Sequence, residues 1–158
     1  MNLPQRKSNR LKDYDYSTEG AYFVTVCTKG KEKLLCNIVG EGLRALPKVK
    51  LTDIGKTVEE SIAYINSAYA AVKVDKHVIM PNHIHLLITI DVTGGHGGPP
   101  LQTVIGRLKS YTTHKYGSVL WQRSFYDHVI RSEHDYREIW EYIDTNPAKW
   151  AEDKFYSK

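Results

Sequence analysis

Cysteine is nearly absent from this 158-residue chain: only Cys27 and Cys36 occur. They form no C-x-x-C pair and no spaced framework, which excludes a disulfide scaffold and reads as reduced cytosolic thiols. Long apolar runs are missing too. The longest, Ala68–Val72, falls far short of the ~20 residues that a membrane-spanning helix needs. Residues 1–16 are polar and basic and lack the apolar region of an export signal, so a cytoplasmic protein with no membrane partner is expected. Several catalytic signatures are also wanting. Gly94–Gly98 runs into Pro99-Pro100 rather than Lys-Ser/Thr, so it is no phosphate loop. Neither H-E-x-x-H nor G-x-S-x-G occurs.

Acids are missing from two segments. Residues 1–12 carry Arg6, Lys7, Arg10 and Lys12, and residues 101–123 carry Arg107, Lys109, Lys115 and Arg123, with no Asp or Glu in either. The whole chain is nearly balanced, 22 bases against 18 acids giving +4. Two acid-free basic segments fit an anionic partner such as nucleic acid, and they also fit plain solvated surface. Charge alone does not choose.

What is present reads as one α+β domain over residues 1–158. Residues 1–19 form a basic arm, and residues 91–100 form a Gly/Pro hinge. Ala21–Thr28 is β-branched and aromatic and predicts a strand. Leu34–Val39 predicts a short return strand, and residues 40–50, with Gly40, Gly42 and Pro47, a loop. Thr52 can cap a helix to Tyr69 whose apolar stripe is Ile54, Val58, Ile62 and Ile65. Val72–Met80 and His83–Ile90 predict a hairpin about Pro81-Asn82. Leu101–Tyr116 predicts a second helix and Phe125–Ile130 a strand. Ser132 caps a third helix that should end near Asn146-Pro147, because the residue before proline avoids helical angles. The core order β-α-β-β-α-β is that of a ferredoxin-like antiparallel sheet, with helices on one face plus a C-terminal helix.

His83-Ile84-His85 is the sharpest motif. Residues i and i+2 of a strand share a face, so both imidazoles project together while Ile84 points the other way. Two such histidines can chelate a divalent cation, or stand as half-buried structural residues. If Pro81-Asn82 is a two-residue turn, Met80 pairs with His83 and Val78 with His85, and His77 faces away. Two protein ligands would leave open positions of the kind a catalytic metal needs. Tyr111, on the second predicted helix, could attack phosphorus beside a metal-bound phosphate. It also shares the stripe of Val104 and Leu108, and the chain has eleven tyrosines, so spacing alone favours a core role. The Trp121–His128 segment mixes aromatics with Arg123. It could stack on bases or build a strand, with Trp121 and Phe125 in the core.

The chain resembles the single-tyrosine HUH transposases, and more closely the REP-associated tyrosine transposases. The stretches that carry the resemblance are Arg10–Tyr16, Gly20–Thr25, Val78–His85, Leu108–Tyr111, Leu120–Arg123, His128–Arg131 and Tyr142–Pro147. The resemblance implies a ferredoxin-like fold with the His-x-His pair on a central strand, a divalent Mg2+ or Mn2+ ion, and a tyrosine nucleophile on a following helix. It implies an endonuclease and strand transferase that cuts single-stranded DNA beside a hairpin and keeps the 5′-phosphate as a phosphotyrosine. A non-catalytic hairpin binder on the same fold is the alternative. Carried over, His83 and His85 become metal ligands and Tyr111 the nucleophile. DNA contacts then fall to Arg10, Lys12, Arg107, Lys109, Lys115 and Arg123. Relatives often place an amide ligand one helical turn after the tyrosine. Lys115 stands there and cannot ligate when protonated, so His114 is the expected substitute. The family includes enzymes whose tyrosine helix docks across a homodimer and others that act as monomers, and the sequence does not choose between them.

Overall fold

The computed structural model describes Leu11, Tyr14 and residues 19–40, 47–91 and 98–156. Arg10 and Lys12, with most of the expected arm and residues 92–97 of the expected hinge, lie outside the described residues. The main sheet holds β1 (Gly20–Cys27), β4 (Val72–Met80), β5 (His83–Ile90) and β6 (Tyr126–Ile130). Its order is β4-β5-β1-β6, with every neighbouring pair antiparallel. This is the expected ferredoxin-like sheet. A second ladder pairs β2 (Cys36–Val39) with β3 (Lys48–Leu51). β3 falls partly inside the stretch read as loop. Its alternation, Lys48-Val49-Lys50-Leu51, is a short strand signal that the flanking Gly and Pro residues obscure.

Helix α1 (Asp53–Ala68) begins as its sequence suggests. Thr52 Oγ1 accepts the Gly55 N–H at 3.1 Å and donates to the Leu34 carbonyl at 2.6 Å. Helix α2 spans Leu101–Tyr116 and closes on Gly117 in the left-handed region. Helix α3 spans Glu133–Thr145, with Ser132 accepting the Asp135 N–H. Its end differs from the expectation. Asn146 keeps helical angles, and Pro147 opens a 3-10 turn, Pro147–Glu152. Proline tolerates the first position of such a turn because its missing N–H has no partner there anyway.

Alternation along the strands separates the two faces of the sheet. Tyr22, Val24 and Val26 of β1 and Ile84, Leu86, Ile88 and Ile90 of β5 face one way. They pack with Val58, Ile62, Ile65, Val104, Ile105 and Leu108 of α1 and α2 in the apolar core. The opposite face carries Phe23, Thr25 and Cys27 of β1 and His83, His85 and Leu87 of β5. It is covered by α3 and the C-terminal turn, whose aromatic rings lie against both histidines. Lys76 fixes α3 to β4 through Asp144 at 2.8 Å and lies over the Trp140 ring, while Tyr136 donates to Asp75 at 2.8 Å.

Candidate metal and nucleophile site

The hairpin turn is two residues long, and Met80 pairs with His83 and Val78 with His85 as the pattern predicts. His77 pairs with Leu86 and so faces away from the motif. Both motif histidines are fully buried. Their Nε2 atoms converge to 3.1 Å.

Hydrogen bonds fix the tautomer of His83. Asn82 donates from Nδ2 to the Phe155 carbonyl at 2.7 Å and to the Lys31 carbonyl at 3.4 Å, so its Oδ1 can only accept. His83 Nδ1–H therefore donates to that oxygen at 2.8 Å and leaves a lone pair on Nε2. His85 Nδ1 lies 2.8 Å from Thr25 Oγ1. A hydroxyl can donate or accept, so Thr25 accommodates either tautomer of His85. In one, His85 Nε2–H bonds His83. In the other, both Nε2 lone pairs aim at a common point. Burial holds both imidazoles below the usual histidine range, which keeps them neutral ligands at pH 7.

Two oxygen donors complete the group. Asp153, from the C-terminal turn, places Oδ2 3.7 Å from His83 Nε2 with its side chain wholly buried. The ligand atoms of His83, His85 and Asp153 all lie within 4.8 Å of one another. Asn146 donates from Nδ2 to Asp153 at 2.9 Å. Its Oδ1 is buried with no hydrogen-bond partner, the one such side-chain atom among the described residues. An orphaned buried carbonyl oxygen asks for an explanation, and a cation held with the two Nε2 atoms supplies one. Two imidazole nitrogens with amide and carboxylate oxygens form a set that a divalent ion accepts. The residues present fit a metal.

Tyr142 stands one helical turn before Asn146. Its ring lies 5.4 Å from that of His85 and 6.0 Å from that of Phe23. Its phenol is raised above the usual tyrosine range, first by burial and then by the Asp153 charge, with the Asn146 side chain opposing.

The expectation that Tyr111 and His114 join the histidines is not met. Tyr111 lines a groove between α1 and α2 with Ser61, Tyr64 and Leu108, on the apolar side of the sheet. His114 is exposed in the last turn of the same helix. The rings packed on His83 and His85 are those of Phe23, Tyr142, Trp150 and Phe155. The signal that could have found the missed residues lay in the sequence. Tyr142 and Asn146 carry the tyrosine-plus-amide spacing that Tyr111 and Lys115 lack.

The expected DNA contacts are scattered. Lys109 is committed to the backbone, donating to the Gln122 carbonyl at 2.6 Å. Arg107 donates to the Tyr69 hydroxyl at 2.9 Å and lies over that ring. Lys115 lies 5.8 Å over the Tyr111 ring, and Arg123 is exposed.

No protein-family model matches the chain. It is 35% identical to an uncharacterized protein of Haemophilus influenzae strain Rd over 176 aligned positions, covering 98% of this chain and 94% of that protein. It is 31% identical over 78 residues to the REP-associated tyrosine transposase of Escherichia coli K12, covering 49% of this chain and 45% of that one. Its fold matches a solved REP-associated tyrosine transposase bound to a REP hairpin, with a TM-score of 0.66 at 23% identity, over 89% of this chain and 73% of the other. About half of the chain is thus similar in sequence to a REP-associated tyrosine transposase, and its fold is the one seen in a solved REP-associated tyrosine transposase.

Proposed function

We propose that this chain is a metal-dependent strand transferase acting on hairpin-containing single-stranded DNA, with Tyr142 as the nucleophile. One observation carries the assignment: Tyr142 packs on His85, and Asn146, one helical turn further on, has an orphaned oxygen and bonds Asp153 beside His83. His83, His85 and Asn146, with Asp153, would hold Mg2+ or Mn2+. When bound, that ion would polarise the phosphodiester and stabilise the leaving oxygen. Tyr142 would form an O–P bond as the bond from phosphorus to the 3′ oxygen breaks. The phenol proton passes to water, and the departing 3′ oxygen takes up a proton. The 5′-phosphotyrosine conserves the bond free energy, so attack by a second 3′-hydroxyl rejoins the strand without ATP. The solved relative bound to a REP hairpin supports a hairpin as substrate.

Burial supports a second reading. Both histidines are closed off by the C-terminal turn, which suits a hairpin binder that has lost its chemistry. Covalent trapping on a denaturing gel separates the two, using labelled single-stranded hairpin DNA with Mn2+ or Mg2+. The expected shifted band survives Tyr111→Phe and disappears in Tyr142→Phe and His83→Ala. A band lost in Tyr111→Phe but not in Tyr142→Phe would refute the assignment. Retained binding with no band in any form of the protein would favour the binder.

A further inference from the structure

A second concavity opens beside the histidines on the same face of the sheet. It encloses about 450 Å³ and is lined by Phe23, Thr25, Lys31, Tyr126, Asp127, His128, Lys154 and Phe155. Its floor is shared with the site above. Thr25 is the hydrogen-bond partner of His85, and Phe23 stacks on His85 at 5.1 Å. Phe155 lies 4.7 Å from the His83 ring. The strand register aligns these groups. Tyr126 pairs with Thr25, and Thr25 with His85, so the three form one cross-strand row.

Edge protection is the ordinary explanation for such residues. β6 is an edge strand, and edges are often blunted by charge. The two cations do not come from β6, however. Lys31 follows β1 and Lys154 belongs to the C-terminal turn, and they meet at one cleft from opposite ends of the chain. Tyr126 is about half exposed and its ring lies 6.4 Å from that of Phe155, over which Lys154 sits at 5.0 Å. The exposed aromatic face of Tyr126, with ammonium groups nearby, matches a stacked base and its phosphate. A cleft of this volume is of the size that holds a small ligand, roughly 300–1,000 Å³. A duplex cannot enter it, and a paired base has no free face to offer.

We propose that this cleft seats one unpaired nucleotide of the strand that is cut, its base on Tyr126 and its phosphate at Lys31 and Lys154. The seat rests on the reading of Tyr142 and the histidines as the cutting site, because it places that nucleotide one side chain from His85.

Fluorescence anisotropy with labelled oligothymidylate, in chelator, tests the seat without chemistry. Tyr126→Ala should weaken binding about tenfold, from the loss of one stacked base, and Tyr126→Phe should restore it. Lys31→Ala with Lys154→Ala should flatten the dependence of log affinity on log salt by about 0.7, for one phosphate neutralised on a single strand. Duplex DNA of the same length should bind Tyr126→Ala and the unaltered protein equally. Tyr64→Ala, in the groove between α1 and α2, serves as the control. Unchanged oligothymidylate affinity in Tyr126→Ala would overturn the seat, as would an equal loss in Tyr64→Ala or an equal loss for duplex. The two readings fail separately. Intact seat binding with no covalent band sinks only the transfer chemistry. A covalent band unaffected by Tyr126→Ala and by the lysine variants sinks only the seat.

Discussion

Thr25 and Asn146 each carry a polar atom whose role depends on what lies between His83 and His85. The Asn146 oxygen has no partner and Thr25 can serve either His85 tautomer. Replacing Asn146 with Ala should therefore lower Mn2+ affinity by about tenfold or more in isothermal titration calorimetry, since even groups that only orient a ligand are worth about 10–100-fold. Equal affinity would remove the amide from the ligand set. Thr25→Val should cost about 1–3 kcal/mol in urea unfolding, because it strands a buried imidazole nitrogen. Thr25→Ser should cost far less. If Thr25→Val unfolds at the same urea concentration as the unaltered protein, the hydroxyl does not serve His85.

Two glycines set opposite demands on their helices. A Cβ on Gly55 would meet the Leu35 carbonyl oxygen at 2.0 Å, because the start of α1 is pressed against that backbone. Gly55→Ala should destabilise by at least the roughly 1–3 kcal/mol typical of overpacking. A Cβ on Gly106 would meet nothing within 4 Å in mid-α2, so Gly106→Ala should stabilise by about 0.4–1 kcal/mol. Urea unfolding of the two variants reads both signs, and equal effects would show that the helix starts are not held as described. The elements themselves were legible. Thr52 and Ser132 announce their helices, and alternation places the histidines on one face. Which tyrosine lies beside the histidines was only hinted at locally, by the Tyr142–Asn146 spacing. It depends on which side of the sheet each helix covers, a property of crossovers between distant strands. α1 links β1 to β4 and α2 links β5 to β6, each passing over one strand, and right-handed crossovers of this kind leave both helices on one face. That face is the apolar one, so Tyr111 is separated from the histidines by the sheet. Only α3 is free to cover the other face.

In the whole molecule, the C-terminal turn closes what the sheet presents. Asp153 and Phe155 reach back to the β4–β5 turn, and Asn82 is held by the Phe155 carbonyl. Histidine modification by diethyl pyrocarbonate, mapped by mass spectrometry, should label exposed His114 and His134 quickly and His83 and His85 slowly. A chain lacking residues 150–158 should label all four quickly. Fast labelling of His83 in the intact chain would mean that the turn does not shield it. No helix of the described residues is long and apolar enough to cross a membrane.

The alternation of β5 has a consequence for how this chain can change. From His83 to Ile90, one parity of positions serves a polar site and the other serves the apolar core. A single-residue insertion after His85 would reverse the parity across it, sending either two imidazoles into hydrocarbon or Leu86, Ile88 and Ile90 away from it. Length variation in this strand is therefore confined to even steps, whereas the loops outside the sheet can lengthen one residue at a time.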